Sequence, residues 1–115
     1  DYFFLHVKGT DMAGEDGDLA AKVGTLESVD ALLPRLLDLG PDVLAITGDH
    51  STPAPMEAHS WHPVPLLLRS ETCFVDECSR FTEVEAIRGA LGTIPSSDLM
   101  GLLLAHSARL AKCGA

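Results

Sequence analysis

Asp11, Asp49, His50 and His59 form a set of carboxylate and imidazole donors suited to holding cations. Asp49 and His50 are adjacent in Thr47-Gly48-Asp49-His50-Ser51-Thr52, and His59 follows in Ala58-His59-Ser60-Trp61-His62-Pro63-Val64-Pro65. Carboxylate oxygen and imidazole nitrogen together suit divalent first-row ions. Neighbouring side chains at a strand end point in different directions, so Asp49 and His50 can each serve a different ion of a two-metal site. Metals roughly 3.5–4 Å apart suit phosphoryl transfer, because they stabilise the attacking and leaving oxygens together. The plainer alternative makes Asp49 a turn cap and the histidines ordinary loop residues. The company of Asp11 and His59 favours the metal site.

These donors need elements to aim them. The apolar run Val43-Leu44-Ala45-Ile46 leads straight into Asp49 and His50, and Phe3-Phe4-Leu5-His6-Val7 leads into Asp11. Both acids thus stand at the ends of strand-like runs, where open α/β sheets place their chemistry. Strands are expected over 2–7, 42–47 and 64–69, the last entered through Pro63-Val64-Pro65, which cannot donate to a ladder at its start. A long helix is expected over 18–39, with Leu19, Val23, Leu26, Leu33 and Leu36 or Leu37 at helical spacing and Gly40-Pro41 as its stop. Thr82-Glu83-Val84-Glu85 reads as a capping box for a helix ending near Gly92. A last helix begins after Ser97, carries Leu99, Leu102, Leu103 and Leu110, and frays at Cys113-Gly114-Ala115. Strands alternating with helices predict an α/β domain with a largely parallel sheet and helices packed on it.

With 115 residues, the chain is one domain at most, and 46% apolar content is enough to bury a core. Its mean hydropathy of +0.18 is high for a small soluble domain and implies faces buried against further polypeptide. The opening Asp1-Tyr2-Phe3-Phe4, without an initiator Met or polar leader, reads as the start of a C-terminal piece of a larger enzyme. A formal charge of −9 argues against binding nucleic acid or an anionic membrane through a basic surface. No apolar run approaches the roughly 20 residues that span a bilayer, and no secretion signal is visible, so the cytoplasm is the default location. Cys73, Cys78 and Cys113 show neither metal nor disulfide spacing and read as packed or free thiols.

The three motifs Thr10-Asp11-Met12-Ala13-Gly14-Glu15-Asp16-Gly17-Asp18, Thr47-Gly48-Asp49-His50-Ser51-Thr52-Pro53 and His59-Ser60-Trp61-His62-Pro63-Val64-Pro65 occur in order, followed by Phe81-Thr82-Glu83, Arg88-Gly89 and Asp98-Leu99-Met100. In this the chain resembles the C-terminal segment of cofactor-independent phosphoglycerate mutases of the archaeal-type branch, in the alkaline phosphatase superfamily. The resemblance implies that residues 1–115 are the C-terminal part of an alkaline-phosphatase-like catalytic domain. It implies two divalent ions, manganese by family habit with magnesium, cobalt or zinc as alternatives. The substrate would be a small phosphorylated acid, with 3-phosphoglycerate and 2-phosphoglycerate interconverted through a phosphoserine. Asp11 and His59 match ligands of one metal, Asp49 and His50 those of the other. The nucleophilic serine and an accompanying aspartate belong to the N-terminal part, so Ser51, Ser60 and Ser96 are not promoted to that role, and this segment alone is expected to be inactive.

One position departs from the family. Its Asp-x-x-Gly-His pattern has a histidine where this chain has Glu15. A carboxylate there is a competent ligand for manganese or magnesium and a poorer one for softer ions; alternatively Glu15 only decorates a helix start. Lys8 can offset the charge of Asp11 or touch a phosphate, while Trp61 and His62 shape the loop and support His59. Asp16 and Asp18 are better read as capping acids than ligands. His6 and His106 read as packing residues. Two other classes remain compatible with the motifs: another phosphoryl-transfer or sulfatase-like member of the superfamily, such as a phosphatase or phosphopentomutase, and a non-enzymatic metal-binding module.

Overall fold

A helical hairpin comes first in the chain, which a computed structural model describes over residues 1–110. Helix α1 runs Gly9–Glu15 and helix α2 runs Leu19–Leu37. Between them the chain reverses at Gly17, whose φ of +69° lies in the left-handed region that favours glycine. Asp18 then caps α2, its side chain accepting from the Ala21 N–H at 2.8 Å. Strand β1 follows at Val43–Thr47, a 3-10 turn at Ala54–Met56, strand β2 at Leu66–Ser70, a short helix α3 at Glu83–Ala86, and helix α4 at Leu99–His106 after a second 3-10 turn at Ser96–Asp98. The chain divides into two units. One comprises residues 1–39 and 50–62, the other residues 40–49 and the described residues from 63 onward.

Several expectations meet their elements with small shifts, and others are corrected. The long helix starts at its expected acid, Asp18, and accommodates Pro34 near its end. The sheet is not parallel: β1 and β2 pair antiparallel, Val43 opposite Ser70 and Thr47 opposite Leu66. Parallel neighbours need a crossover connection, usually helical. The segment between these strands carries only the 3-10 turn at Ala54–Met56, so the chain returns against itself.

Residues 2–7 form no strand. Phe3 and Phe4 are exposed, and a two-stranded ladder made of β1 and β2 leaves the segment without a partner among the described residues. His6, expected to be a core histidine, is correspondingly exposed and stacks loosely with Phe4. The helix after Thr82 is one turn rather than a run to Gly92. Only half of the capping box forms: Thr82 accepts from the Glu85 N–H, but the Glu85 carboxylate turns to the Ser79 and Arg80 N–H groups instead. Leu110 lies past α4 and is exposed, and the expected fraying at Cys113 falls outside the described residues.

The apolar stripe of α2 is exposed over its first half: Leu19, Val23 and Leu26 are exposed, Leu33 and Leu36 are half-buried, and Lys22 and Thr25 lie on the half-buried side of that first half. The residues buried among those described are Ala13, Gly14, Thr52 and Ala54, contributed by α1 and the loop around the first 3-10 turn. The buried residues among those described therefore lie beside the candidate site. Large apolar side chains such as Phe74 and Val75 are almost wholly exposed.

Candidate metal centre

Asp11 comes from the first turn of α1, where a negative charge is favoured by the helix dipole. The acid therefore does not follow a strand directly, the arrangement expected from the apolar run before it, but sits within a helix. The consequence is geometric: Asp11 and Glu15, four residues apart, share one face. Glu15 thus belongs to the same presenting surface as Asp11 through helix period alone.

The loop from His50 to His62 supplies the imidazoles. Its base is closed by an antiparallel bridge between Ser51 and Ser60, with the Ser60 N–H donating to the Ser51 carbonyl at 2.8 Å. That clamp sets the residues flanking it, His50 and His59, side by side, with ring centroids 4.0 Å apart. Between them the chain turns through Pro53 and the 3-10 turn to Glu57, a non-glycine residue at φ +50°.

Asp11, His50 and His59 converge, offering ligand atoms that all lie within 4.8 Å of one another. His59 Nε2 is 3.4 Å from Asp11 Oδ1 and also 3.4 Å from Glu15 Oε1, so Glu15 joins the cluster through His59. His50 Nδ1 is 3.9 Å from Asp11 Oδ1. The other Asp11 oxygen, Oδ2, pairs with Lys8 Nζ at 3.1 Å. The Thr52 hydroxyl, donating to Oδ1 at 2.7 Å, and then the Lys8 ammonium hold the Asp11 carboxyl down at about 2. Asp11 is therefore a carboxylate throughout the neutral range.

Among the remaining expected residues, Asp49 follows β1 and belongs to the second unit, while its neighbour His50 belongs to the first. Trp61 stacks on His62, and His62 Nδ1 lies 2.8 Å from Ser60 Oγ, so this pair braces the end of the loop. His106 is held by Thr72 Oγ1 at 2.7 Å from its Nδ1, consistent with a packing role. Cys73 and Cys78 are free thiols.

Two residues that the motifs did not single out prove central to the arrangement. Thr52, buried at 4% exposure, contacts both Asp11 and His50. Lys22 of α2 donates from Nζ to the Thr52 carbonyl. The available signal was position: Thr52 stands two residues after His50, and Lys22 is a cation on the first turn of a helix, where the dipole does not favour it.

One carboxylate and two imidazoles converging, with a second carboxylate beside them, fit a divalent cation. Three protein ligands with room for a substrate or water are the habit of catalytic rather than structural metal sites. The match to known proteins agrees. A family model for the metalloenzyme superfamily matches residues 1–106, and the chain belongs to that superfamily, which implies divalent metal binding. Within it, the chain is 61% identical over all 115 residues to a probable 2,3-bisphosphoglycerate-independent phosphoglycerate mutase of Thermus thermophilus and 55% identical to the corresponding protein of Deinococcus radiodurans. It spans 28% of the length of each of these relatives. A solved structure, the PH0037 protein of Pyrococcus horikoshii, superposes with a TM-score of 0.91 at 40% identity, covering 97% of this chain and 35% of that one. These likenesses fit part of an alkaline-phosphatase-like α/β domain.

Proposed function

We propose that these residues are the C-terminal part of the catalytic domain of a metal-dependent, 2,3-bisphosphoglycerate-independent phosphoglycerate mutase. The observation that carries this reading is the convergence of Asp11, His50 and His59 on α1 and the clamped loop, in a chain similar along its whole length to such mutases. Asp11, Glu15, Asp49, His50 and His59 are the ligands, shared between two divalent ions, with manganese the resident metal. When bound, the ions supply positive charge where oxygens of a transferring phosphoryl group gain negative charge.

The chain's own residues prepare that site. The carboxylate of Asp11 stays ionised and fixed between Lys8 and Thr52. Glu15, one helical turn along, adds a second negative oxygen where the mutase pattern has histidine, giving a harder donor set that favours manganese or magnesium over zinc. His50, next to Asp49 in sequence and within ligand range of Asp11 and His59, is suited to the junction between two ions. Trp61 and His62 hold the loop that carries His59. The phosphoglycerate substrate is bound by the whole domain, and its phosphoryl group is carried by a serine outside residues 1–115. The exposed Phe3, Phe4, Leu19 and Leu26 are covered by the N-terminal part of the same protein. The described residues contain no helix long and apolar enough to cross a membrane, and the enzyme works in the cytoplasm.

The reading is tested by interconversion of 3- and 2-phosphoglycerate by the purified full-length protein with manganese, run beside hydrolysis of a simple phosphate ester and isomerisation of a pentose phosphate. Mutase activity abolished by a chelator and restored by metal is expected. Turnover of the ester or the pentose phosphate alone would overturn the assignment. Residues 1–115 by themselves should convert neither phosphoglycerate, because covalent catalysis needs the missing hydroxyl.

A further inference from the structure

We propose that Gly14 and Lys22 are positioning residues of the metal centre: the absent side chain at Gly14 lets α1 close on the loop that carries the histidines, and the Lys22 ammonium pins the loop there. The inference rests on the metal-site reading above and deepens it. Gly14 stands inside α1, where glycine lowers helix propensity, and it is not among the glycines with positive φ, which are Gly17, Gly40 and Gly92. Backbone conformation therefore does not account for it. What glycine supplies here is close approach. A Cβ built on Gly14 would lie 2.3 Å from the Thr52 carbonyl oxygen, 2.9 Å from Thr52 Cγ2 and 3.0 Å from Lys22 Nζ. The space that a side chain at this position needs is already filled by the Thr52 carbonyl and the ammonium that donates to it.

The gap at Gly14 is also the gap across the candidate centre. Asp11 and Glu15 ride on the same helix as Gly14, while Thr52 lies in the loop closed by the Ser51–Ser60 bridge, beside which His59 sits. At the observed spacing the Thr52 hydroxyl donates to Asp11 Oδ1 at 2.7 Å, and His59 Nε2 is 3.4 Å from both Asp11 Oδ1 and Glu15 Oε1. A methyl at position 14 would push the two backbones apart by at least 0.7 Å, from 2.3 Å to the 3.0 Å below which Cβ contacts are essentially never found. Metal–ligand distances tolerate only about 0.2 Å and a working constellation about 0.5 Å, so this displacement exceeds both. Lys22 acts on the other side of the same contact. The Thr52 carbonyl, pressed against α1 in a residue that is 4% exposed, needs a donor, and Lys22 Nζ of α2 gives it a charge-assisted one.

The experiment uses the full-length protein and reads manganese affinity by calorimetry, beside metal-free crystal structures of wild type and Gly14→Ala. Gly14→Ala should bind manganese about 10- to 100-fold more weakly, the usual cost of disturbing groups that orient ligands, and its metal-free structure should show Asp11 drawn away from the Thr52 hydroxyl. Gly24→Ala is the control, because a Cβ there meets open space on α2, and it should bind as wild type does. Lys22→Met, which keeps the stem and loses the donor, should weaken manganese binding by about 10-fold, and Lys22→Arg, which keeps an N–H donor, should bind more tightly than the methionine variant. A glycine with a merely structural role would lower metal-free stability and leave the folded Gly14→Ala protein at wild-type affinity; that result overturns the proposal, as does an equal loss in Gly24→Ala. If Gly14→Ala does not fold, Lys22→Met decides, and wild-type affinity in it overturns the proposal. Should the wild type bind no divalent ion, the metal-site reading falls, while separation of Asp11 from Thr52 in the alanine structure would still uphold the spacing and an unchanged separation would overturn it, so the two failures are distinguishable.

Discussion

The two units of this chain use the same acidic side chains in opposite ways. In the first, Asp11 faces a hydroxyl, an ammonium and two imidazoles. In the second, Asp76 accepts from the backbone N–H groups of Ala90 and Cys78, and Glu85 accepts from those of Ser79 and Arg80. These backbone bonds hold both Asp76 and Glu85 below the ordinary carboxylate range, for Asp76 chiefly through Ala90 and for Glu85 chiefly through Arg80. A lowered carboxyl is thus common to both units and does not by itself mark a site. What differs is the partner. Backbone N–H groups satisfied by a carboxylate close a loop, whereas at Asp11 the carboxylate converges with two imidazoles, side chains of types that can hold a cation. Substitutions in each unit test whether that distinction holds.

The largest effect is expected from removing a member of the convergent cluster. In the full-length protein, Asp11→Ala or His59→Ala should each weaken manganese binding by about 100-fold or more and abolish activity, since an open site with few protein ligands cannot replace one cheaply. Asp76→Asn and Cys73→Ser should leave metal affinity unchanged. Calorimetric titration of the four variants decides it, and a loss of metal in Asp76→Asn with retention in His59→Ala would reverse the assignment of the two units.

Glu15 sets a finer test, because it is an acid on the edge of the cluster, reached through His59 at 3.4 Å. If it ligates, Glu15→Ala weakens manganese binding, and Glu15→His restores binding while shifting preference toward cobalt and zinc. If it only complements the helix, metal affinities remain equal in all three proteins. Titrating manganese and cobalt into each separates the outcomes.

Acid should act on the second unit in a defined order. Asp76 and Glu85 have folded-state values below their unfolded ones, so each contributes stability that is complete above its unfolded value of roughly 4 and is lost as the pH falls from there through the lower folded value. The amides that donate to them, Cys78 and Ala90 for Asp76 and Ser79 and Arg80 for Glu85, should therefore lose exchange protection below about pH 4. In Asp76→Asn the amides of Cys78 and Ala90 should lose this pH dependence while those of Ser79 and Arg80 keep it. Protection independent of pH across the four amides would remove the carboxylates from the bracing of this loop.

How much of this was legible in the sequence follows the range of each interaction. Helix α2 was readable because its signals are local: Asp18 caps it and the apolar spacing continues through it. Asp11, His50 and His59, which the structure brings together, could be named as candidate donors because carboxylate and imidazole chemistry is written in residue type. Helix α1 was not, since Gly9 and Gly14 lower its propensity and its packing against α2 and the Thr52 loop compensates. The antiparallel pairing of β1 with β2 was hidden for a similar reason. Alternation of strand-like and helix-like runs suggests crossovers, yet the connection between these strands is a loop that carries His50 and His59. Thr52 lay inside a motif but offered no ligand chemistry of its own, because its contacts to Asp11 and His50 exist only once α1 and the loop meet.

The smallest effect belongs to Asp18, an acid in the first unit that stands outside the cluster and so tests whether proximity alone confers function. Its side chain accepts from the Ala21 N–H at 2.8 Å and satisfies one of the donors left open at the start of α2. Asp18→Ala should cost about 1 kcal/mol of stability, and Asp18→Asn, which keeps an acceptor, much less. Neither should change manganese affinity, because the carboxylate of Asp18 is engaged at the start of α2 and not on the face that Asp11 and Glu15 share. Thermal or denaturant unfolding beside metal titration reads both quantities in the same proteins. A fall in metal affinity in Asp18→Asn, with stability intact, would move Asp18 from the caps to the ligands and erase the distinction between acids that close backbone and acids that converge with imidazoles.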